Sequence, residues 1–306
     1  KMKILILRFS SIGDIVLTTP VLRCMKEQAD IELHYLTKKS FQQILENNPY
    51  VDKVHVFEST TIESSLKAAS FDCIIDLHHN MRSMKVKRWL DVPSFVFPKM
   101  NFKKLVLVNL KWDLMGGRHV VDRYFEAANA ALGIVSDKKG LDYFIPKKDE
   151  LSIEDLPEVC RSGFLAFVIG GQHDGKMMSV AKITRVCKGL RQPVLLLGGP
   201  DDRERGIEIS EKAGDLVINT AGEYNLNQSA SILKVAKVVI SHDTGLMHIA
   251  SAFGKKIISL WGGTVPALGF SPYMPGKGSK TIGASHFMRP SSKLGRRKGI
   301  YRMFDF

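Results

Sequence analysis

Short apolar runs rich in branched aliphatic residues alternate along this chain with amphipathic segments of helical length. The strand-like runs in the first half are 4–7, 31–36, 54–57 and 73–77, and the helix-like segments between them are 14–28, 39–47 and 61–69. Such alternation is typical of right-handed βαβ crossovers, which build a parallel sheet with helices on both faces. The pattern therefore predicts an α/β fold.

The same alternation starts again after a polar stretch at 147–160, which has no strand or buried-helix pattern and is interpreted as a linker. The later strand-like runs are 164–169, 194–197, 216–218, 238–241 and 257–260. The sequence thus predicts two doubly wound domains, 1–150 and 151–306, with ligands bound at the carboxyl ends of the strands. The basic tail from about Lys293 lacks a strand pattern and could pack back on the first domain.

Charge narrows the class of partner without naming it. The 306 residues include 44 Lys and Arg against 31 Asp and Glu, a net charge of +13. This excess favours nucleic acid, an acidic membrane surface or phosphorylated substrates as partners.

Three features of the sequence concern the location of the protein. No apolar run approaches the roughly 20 residues needed to span a bilayer, and the start does not resemble a signal peptide. The four cysteines are scattered, which does not suggest a disulfide framework. We therefore expect a cytoplasmic protein.

The first candidate for chemistry is Asp14, which follows the 4–7 run at the start of a predicted helix. Gly13 before it would let the backbone turn tightly and let a substrate approach. Asp14 could simply cap the helix, or it could act as a catalytic base. Both roles can coexist, because the helix dipole keeps a carboxylate ionised.

A second candidate follows the 238–241 run, where Asp243, Thr244 and Gly245 open a predicted helix. Free N–H groups at such a helix start suit a diphosphate. His248, one turn later, could reach a phosphate or could be a core histidine. The Asp-Thr-Gly triplet also occurs in aspartic proteases, but here it occurs once and in the wrong secondary structure.

Two glycine-containing loops complete the candidate donor site. Residues 170–176 follow a strand and end in Lys176, a combination that suits phosphate although the spacing is not that of a nucleotide-triphosphatase loop. Residues 198–202 follow the next strand and end in Asp202, which could hold a ribose or belong to an ordinary helix start.

The remaining candidate residues concern metals and membranes. The sequence has no Asp-x-Asp pair to hold a metal-bound nucleotide sugar, and its histidines lack metal-ligand spacing, so no metal or other cofactor is expected. The stretch 82–104 combines seven Lys and Arg with one acid and interleaved aromatic residues. It could be a solvated helix plus a strand, or it could dock on an anionic lipid or a phosphorylated acidic sugar. Single-stranded nucleic acid is disfavoured, because no recognised nucleic-acid module is present.

Three of these segments together resemble glycosyltransferase family 9, the ADP-heptose:lipopolysaccharide heptosyltransferases. They are 6–14 with Thr18-Thr19-Pro20, then 170–176, and finally 243–250 with 252–255 and 261–266. They occur in the order and spacing of the family. Two departures are the lack of cysteines at 288–293 and Gly263, where many relatives have proline.

The resemblance implies a GT-B fold, with two Rossmann-like domains facing each other across a cleft. The first domain would bind the acceptor and the second the nucleotide sugar. The resemblance also assigns residues: a catalytic base at Asp14, an acceptor side at Ser10, Ser11 and Gly13, and a donor site at Lys176, Asp202, Asp243, Thr244, Gly245 and His248. The alignment of Asp202 is loose by one residue.

The implied activity is metal-independent, inverting transfer of a heptose or related sugar, from a donor such as ADP-heptose to a lipopolysaccharide core or another anionic glycolipid. Peripheral contact with the cytoplasmic face of the inner membrane would follow, and no nucleic acid is involved. Two alternatives remain open. One is a transferase or epimerase that uses another nucleotide sugar, and the other is a catalytically silent paralogue that only binds one.

Overall fold

The structure is a computed structural model that describes residues 1–171, 176–284 and 289–292. The chain divides into two compact units. The first comprises 1–100 and 118–144, and the second comprises 101–117 and the chain from Ile145 onward. The basic tail from Lys293 lies outside the described residues. The assignment of acceptor binding to one domain and of donor binding to the other stays a prediction.

The first unit is a parallel sheet with helices packed on it. In the described part of the chain its strands run in the order β3-β2-β1-β4-β5, so the direction of sheet growth reverses between β1 and β4. The strands are β1 (Met2–Leu7), β2 (Ile31–Thr37), β3 (Lys53–Val56), β4 (Cys73–Asp76) and β5 (Ser94–Val96). The helices are α1 (Ile12–Val16), α2 (Thr19–Gln28), α3 (Ile62–Ala69), α4 (Met81–Leu90) and, later in the chain, α6 (Val120–Leu132).

The second unit repeats this arrangement. Its parallel strands run in the order β11-β10-β9-β6-β7-β8, and the reversal lies between β6 and β9. The strands are β6 (Leu165–Val168), β7 (Val194–Leu197), β8 (Val217–Asn219), β9 (Val238–His242), β10 (Ile257–Trp261) and β11 (Lys280–Gly283). The helices are α5 (Asn101–Leu110), α7 (Val180–Leu190), α8 (Arg203–Ala213), α9 (Leu226–Val235) and α10 (Gly245–Ala252).

All nine strand-like runs named from the sequence form strands, and the predicted α/β fold of GT-B type with two Rossmann-like units is confirmed. The central strands are buried on both faces: residues 4–7 of β1 are 0% exposed. A parallel strand covered by helices on both sides needs apolar residues at successive positions rather than at alternate ones. That requirement explains why the strands could be recognised in the sequence as continuous apolar runs.

The single helix predicted at 14–28 is wrong, because the chain forms α1 and α2 with a break at Leu17 and Thr18. Pro20 has no N–H to donate to the carbonyl four residues earlier, that of Val16. The Thr19 hydroxyl donates to that carbonyl instead at 2.7 Å, and the Thr18 hydroxyl donates to the carbonyl of Ile15 at 2.7 Å. The Thr19 hydroxyl thus satisfies the one carbonyl that Pro20 leaves open.

The predicted helix at 39–47 is also shorter than expected, because only a 3-10 helix forms at Lys39–Ile44. Pro49 disfavours helical backbone in the residue that precedes it, so a helix has little room to continue. The predicted linker at 147–160 contains three short 3-10 turns and no strand. Among the described residues, no helix is long and apolar enough to cross a membrane.

Candidate functional site

Asp14 lies at the carboxyl edge of the first sheet, as the third residue of α1 and close behind β1. The N–H of Ser11 donates to its Oδ2 at 3.2 Å, and the Ser11 hydroxyl donates to the same oxygen at 2.8 Å. Asp14 therefore does cap its helix, one of the two roles predicted for it. Its side chain is still 21% exposed, so the carboxylate remains accessible from solvent.

Arg8 forms an ion pair with Asp14, with 2.7 Å between Nη2 and Oδ2. Burial by itself raises the pKa of Asp14, but the charge of Arg8 and the hydrogen bonds from Ser11 outweigh it and lower that pKa below its ordinary value. Asp14 is therefore ionised at neutral pH, as a proton acceptor must be. Within the described residues all its hydrogen bonds and ion pairs fall on Oδ2, which leaves Oδ1 to receive a proton.

The guanidinium of Arg8 also ties together the ends of two strands. Its Nε donates to the carbonyl of Ser10 at 2.8 Å, and its Nη1 donates to the carbonyl of Leu77, just beyond β4, at 2.6 Å. Arg8 is only 8% exposed, and its charge is therefore held in one place. Sequence reasoning assigned no role to Arg8, although an arginine between an apolar strand-like run and an acid was a usable signal.

The remaining predicted residues of this loop are arranged around that pair. Ser10 and Ser11 are partly buried. Gly13 is buried inside α1 with helical backbone, so it does not provide the tight turn that was expected of it.

Asp76, which ends β4, is fully buried. Its Oδ1 accepts the N–H groups of His78 and His79, and its Oδ2 lies 3.2 Å from the amine of Lys87.

Several polar atoms of the first unit are buried without a hydrogen-bond partner among the described residues, and those of His78 and Tyr124 belong to residues close to Asp14. They are Nδ1 of His78, the hydroxyl of Tyr124, and Nε and Nη2 of Arg123. Burial first, and then the charge of Arg8, lower the pKa of His78 to about 3, so its ring is neutral. Buried polar groups normally have partners.

In the second unit, the predicted helix start after β9 is present. Asp243 and Thr244 follow the strand directly, and Gly245 begins α10. Thr244 takes extended backbone as the N-cap, and its side chain does not bond to the first N–H groups of the helix. Its hydroxyl instead lies 3.2 Å from that of Ser241. The start of α10 thus offers N–H donors that an anion could accept.

Lys176 lies at this helix start and is paired with Asp243. Its amine is 2.5 Å from Oδ2 of Asp243 and 3.5 Å from the carbonyl oxygen of the same residue. Thr264, in the loop after β10, donates to that Oδ2 at 3.4 Å. The structure thus brings together Lys176 and Asp243, both predicted for the donor site, and adds Thr264. They meet between β6 and β9, the point where the sheet reverses.

The other two predicted donor residues have structural roles in this unit. His248 is only 3% exposed, as a core histidine would be. Asp202 is the N-cap of α8, and its Oδ2 accepts the N–H of Gly199 at 2.9 Å. A Cβ at either Gly170 or Gly198 would overlap the Asp202 side chain, so these glycines make room for it. Ribose binding by Asp202 and phosphate binding by His248 stay predictions.

Two residues that sequence reasoning missed hold the loops of this site. His242 accepts the N–H of Met178 at 2.9 Å through Nε2, which anchors the segment behind Lys176 to β9. Arg289 donates to the carbonyls of Gly262, Trp261, Thr264 and Ala284, and thereby fixes the loop that carries Thr264. Their partners are main-chain atoms, which no sequence motif marks.

The described residues contain no cluster of three or more His, Cys, Asp or Glu side chains that could hold a metal ion. Each unit thus has its own candidate group: Asp14 with Arg8 in the first unit, and Lys176, Asp243 and the start of α10 in the second.

Comparison with known proteins assigns this combination to a family. The model of glycosyltransferase family 9 (heptosyltransferase) matches residues 60–285. Lipopolysaccharide heptosyltransferase 1 of Campylobacter coli is 25% identical over 293 residues, which are 86% of this chain and 84% of that relative. The resemblance inferred from the three motifs is thereby confirmed.

Two solved structures share the fold. The crystal structure of a family 9 glycosyl transferase from Veillonella parvula has a TM-score of 0.77 at 20% identity, with 98% of this chain and 92% of that chain covered. The structure of E. coli heptosyltransferase WaaC with ADP-2-deoxy-2-fluoro heptose has a TM-score of 0.67 at 21% identity, with 96% and 97% covered.

Proposed function

This chain belongs to glycosyltransferase family 9, and from that premise we propose that it moves a heptose, or a closely related sugar, from ADP-heptose to a lipopolysaccharide core. The name of the Campylobacter coli relative supports the sugar and the acceptor, and the ligand of the E. coli enzyme supports the donor. The observation that carries the proposal is the accessible, ionised carboxylate of Asp14 at the reversal point of the first sheet.

The proposed reaction is a single displacement with inversion. Asp14 accepts the proton of an acceptor hydroxyl on Oδ1, the carboxylate oxygen that is not used in its contacts with Ser11 and Arg8. The hydroxyl oxygen forms a bond to the anomeric carbon, and the bond between that carbon and the diphosphate oxygen breaks. The nucleoside diphosphate leaves with the bonding electrons. Because attack and departure occur on opposite faces of the sugar, the anomeric configuration inverts.

The leaving diphosphate is stabilised without a metal in this proposal. Lys176 supplies a positive charge, and the first N–H groups of α10 supply hydrogen bonds. Lys176 is paired with Asp243, so the lysine is already oriented before the donor arrives. The diphosphate then shares the lysine with Asp243 or displaces that carboxylate.

The acceptor side rests on the buried polar atoms around Asp14. His78 is partly buried and its Nδ1 has no partner among the described residues, so it would be the first of these groups to bind the acceptor sugar, whereas Tyr124 and Arg123 are 0% exposed. A lipopolysaccharide acceptor is itself a lipid, so its sugars stand at a membrane surface. Peripheral contact with the cytoplasmic face of the inner membrane therefore belongs to the proposal.

The test is transfer itself. The purified chain is incubated with ADP-heptose and a heptose-free lipopolysaccharide core, and the product is analysed by mass spectrometry and by NMR of the new anomeric centre. We expect one added heptose with inverted configuration. Retention would overturn the single displacement. Turnover of another nucleotide sugar but not of ADP-heptose would overturn the donor, and binding without turnover would identify a silent paralogue.

A further inference from the structure

The main chain directly after Lys176 is held by side chains from two other elements of the second unit. His242, the last residue of β9, accepts the N–H of Met178 at 2.9 Å through Nε2. Arg205, in α8, donates from Nη2 to the carbonyl of Met178, and its Nη1 donates to the sulfur of Met177 at 3.3 Å. Both main-chain groups of Met178 are therefore fixed by side chains that are remote in sequence.

These two contacts matter because the segment has no regular structure of its own. Met177 and Met178 lie in the connection before α7 and belong to no helix or strand. Main-chain N–H and carbonyl groups outside such ladders need other hydrogen-bond partners. The side chains of Arg205 and His242 supply them, so these two residues determine where the segment lies.

His242 can accept an N–H only with a neutral ring, and its surroundings keep the ring neutral. The residue is 0% exposed. Burial first, and then the charge of Arg205, lower the pKa of His242 to about 4. At neutral pH its Nε2 therefore carries the lone pair that accepts the N–H of Met178.

The end of β9 thus holds Lys176 at two points. His242 anchors the main chain two residues beyond the lysine. The next residue, Asp243, lies with its Oδ2 2.5 Å from the lysine amine. Consecutive residues of one strand end therefore fix the backbone beside the lysine and its charged group, and Arg205 adds a third hold from α8.

We propose that Arg205 and His242 are positioning residues of the donor site, which fix the main chain of Met178 and thereby set the place of the Lys176 amine against the leaving diphosphate. The inference deepens the proposed function and rests on it, because it takes Lys176 as the group that binds the diphosphate. Arg205 and His242 act through the lysine and are assigned no contact with the donor. Such placement is decisive, since a displacement of about 1 Å can cost on the order of a hundredfold in rate.

The first experiment measures ADP binding by the full chain in a calorimeter, with adenosine as the ligand that lacks the diphosphate. Arg205→Ala removes one hold on Met178. Arg203→Ala is the matched control, because Arg203 is an exposed residue of the same helix and its loss changes the net charge equally. We expect Arg205→Ala to weaken ADP binding on the order of tenfold and to leave adenosine binding unchanged. The control should bind both ligands as the wild type does.

A double-variant cycle distinguishes positioning from direct contact. If Arg205 acts through the lysine, Arg205→Ala should weaken ADP binding by less than about twofold once Lys176 has been replaced by alanine. An equal loss in both backgrounds would show that Arg205 acts on the diphosphate itself, and would overturn the proposal. Equal losses for ADP and adenosine would also overturn it, because Arg205 would then support the fold of the whole site.

His242 is tested by two substitutions that differ in one property. His242→Gln keeps a side-chain acceptor for the N–H of Met178, whereas His242→Leu removes it. We expect His242→Gln to keep ADP affinity within about threefold of the wild type and His242→Leu to lose on the order of tenfold. Equal ADP affinity of the two variants would overturn the role of His242. If His242→Leu fails to fold, the cycle with Arg205, a partly buried residue, decides the proposal.

Transfer kinetics separate this inference from the proposed function. In Arg205→Ala, kcat should fall on the order of tenfold and the KM for the acceptor should not change, because the lysine serves the leaving group. An unchanged kcat would contradict the inference. A wild type that binds ADP but transfers no heptose would overturn the proposed function, while the binding cycle would still decide the positioning. A wild type that does not bind ADP would overturn both.

Discussion

Arg8 and Asp14 form a tightly held pair of charged residues at the carboxyl edge of the first sheet. The arginine donates from Nε, Nη1 and Nη2 to three separate acceptors and is 8% exposed. Asp14 is thereby held in one orientation and kept ionised. The acid provides the proposed chemistry, and the arginine is a positioning residue that acts through it.

Replacing the acid tests the chemistry directly. Asp14→Asn keeps the size of the side chain but removes most of its ability to accept a proton, so turnover should fall by about a hundredfold or more. Donor affinity should change little, because no donor-binding residue is altered. Steady-state kinetics with ADP-heptose would measure both. Near-wild-type turnover would show that another group is the base.

Replacing the arginine tests how Asp14 is tuned. Burial raises the pKa of Asp14, and Arg8 opposes that effect. In Arg8→Gln the opposition is lost, so the pKa rises and the acid limb of kcat/KM moves to higher pH. The exposed Arg82→Gln serves as the matched control and should leave the profile unchanged. A fall in activity at every pH, with no movement of the limb, would mean that Arg8 only supports the fold.

Lys176 can be tested by comparing two ligands. Lys176→Ala should weaken ADP binding by about 1.5–3 kcal/mol, the range for a hydrogen bond to a charged group, and leave adenosine unaffected. The loss should shrink as salt rises, since the lysine is partly solvated. Calorimetry measures both ligands. Equal losses for ADP and adenosine would show that Lys176 stabilises the fold rather than the phosphate.

The Lys176–Asp243 pair adds a refinement to that test. The side chain of Asp243 is 10% exposed, so Lys176→Ala leaves a buried carboxylate that repels a diphosphate. Adding Asp243→Asn should then recover part of the lost ADP affinity. A double variant that binds ADP no better than Lys176→Ala would show that repulsion between Asp243 and the diphosphate does not contribute to the lost affinity.

At the scale of elements, two strand-to-helix loops of the second unit are built against each other. The loop after β6 contributes Gly170, and the loop after β7 contributes Gly198 and Asp202, whose carboxylate accepts the N–H of Gly199. The absence of a side chain at Gly170 is what lets the carboxylate of Asp202 reach the N–H of Gly199. The glycines of these loops therefore have a packing role independent of any phosphate.

That packing role predicts the effect of one methyl group. Gly170→Ala should lower the free energy of unfolding by about 1–3 kcal/mol, because its Cβ would displace the Asp202 carboxylate from its hydrogen bond with the N–H of Gly199. Gly189→Ala in α7 is the control, since a Cβ there meets nothing within 4 Å. Urea unfolding measures the difference. In an Asp202→Ala background the cost of Gly170→Ala should largely disappear; an undiminished cost would place the clash elsewhere.

At the scale of the whole molecule, both units carry their candidate residues where the order of strands reverses. Asp14 follows β1 beside β4, and Lys176 and Asp243 follow β6 and β9. Open parallel sheets offer a crevice at such points, because neighbouring connections leave in opposite directions. The net charge of +13 adds a general attraction for phosphorylated donors and anionic acceptors.

The positive groups proposed to bind the diphosphate lead to a prediction about metals. Activity should survive excess EDTA, because Lys176 and the N–H groups of α10 supply the positive character that a metal provides in other glycosyltransferases. Transfer assays with and without EDTA would test this. Loss of activity that magnesium or manganese restores would overturn the proposed stabilisation of the leaving group.

The sequence by itself determined the strands, their division into two units and the placement of Asp14, Lys176 and Asp243 at strand ends. These features are local: a strand buried on both faces must be a continuous apolar run, and the residues after it must lie at the sheet edge. The break between α1 and α2 was missed although its cause is also local, because hydroxyls that bond to main-chain carbonyls do not disturb the apolar periodicity.

Only the tertiary structure decided how these residues are held. Arg8 reaches a carbonyl 69 positions away, and His242 accepts an N–H 64 positions away. Such partners are main-chain atoms, which every residue possesses, so no residue type in the sequence identifies them. The exposure of Phe102 and Leu105 in α5 was hidden for a similar reason: an apolar helix residue has the same identity in a core and on a surface, and only the packing around it decides which it is.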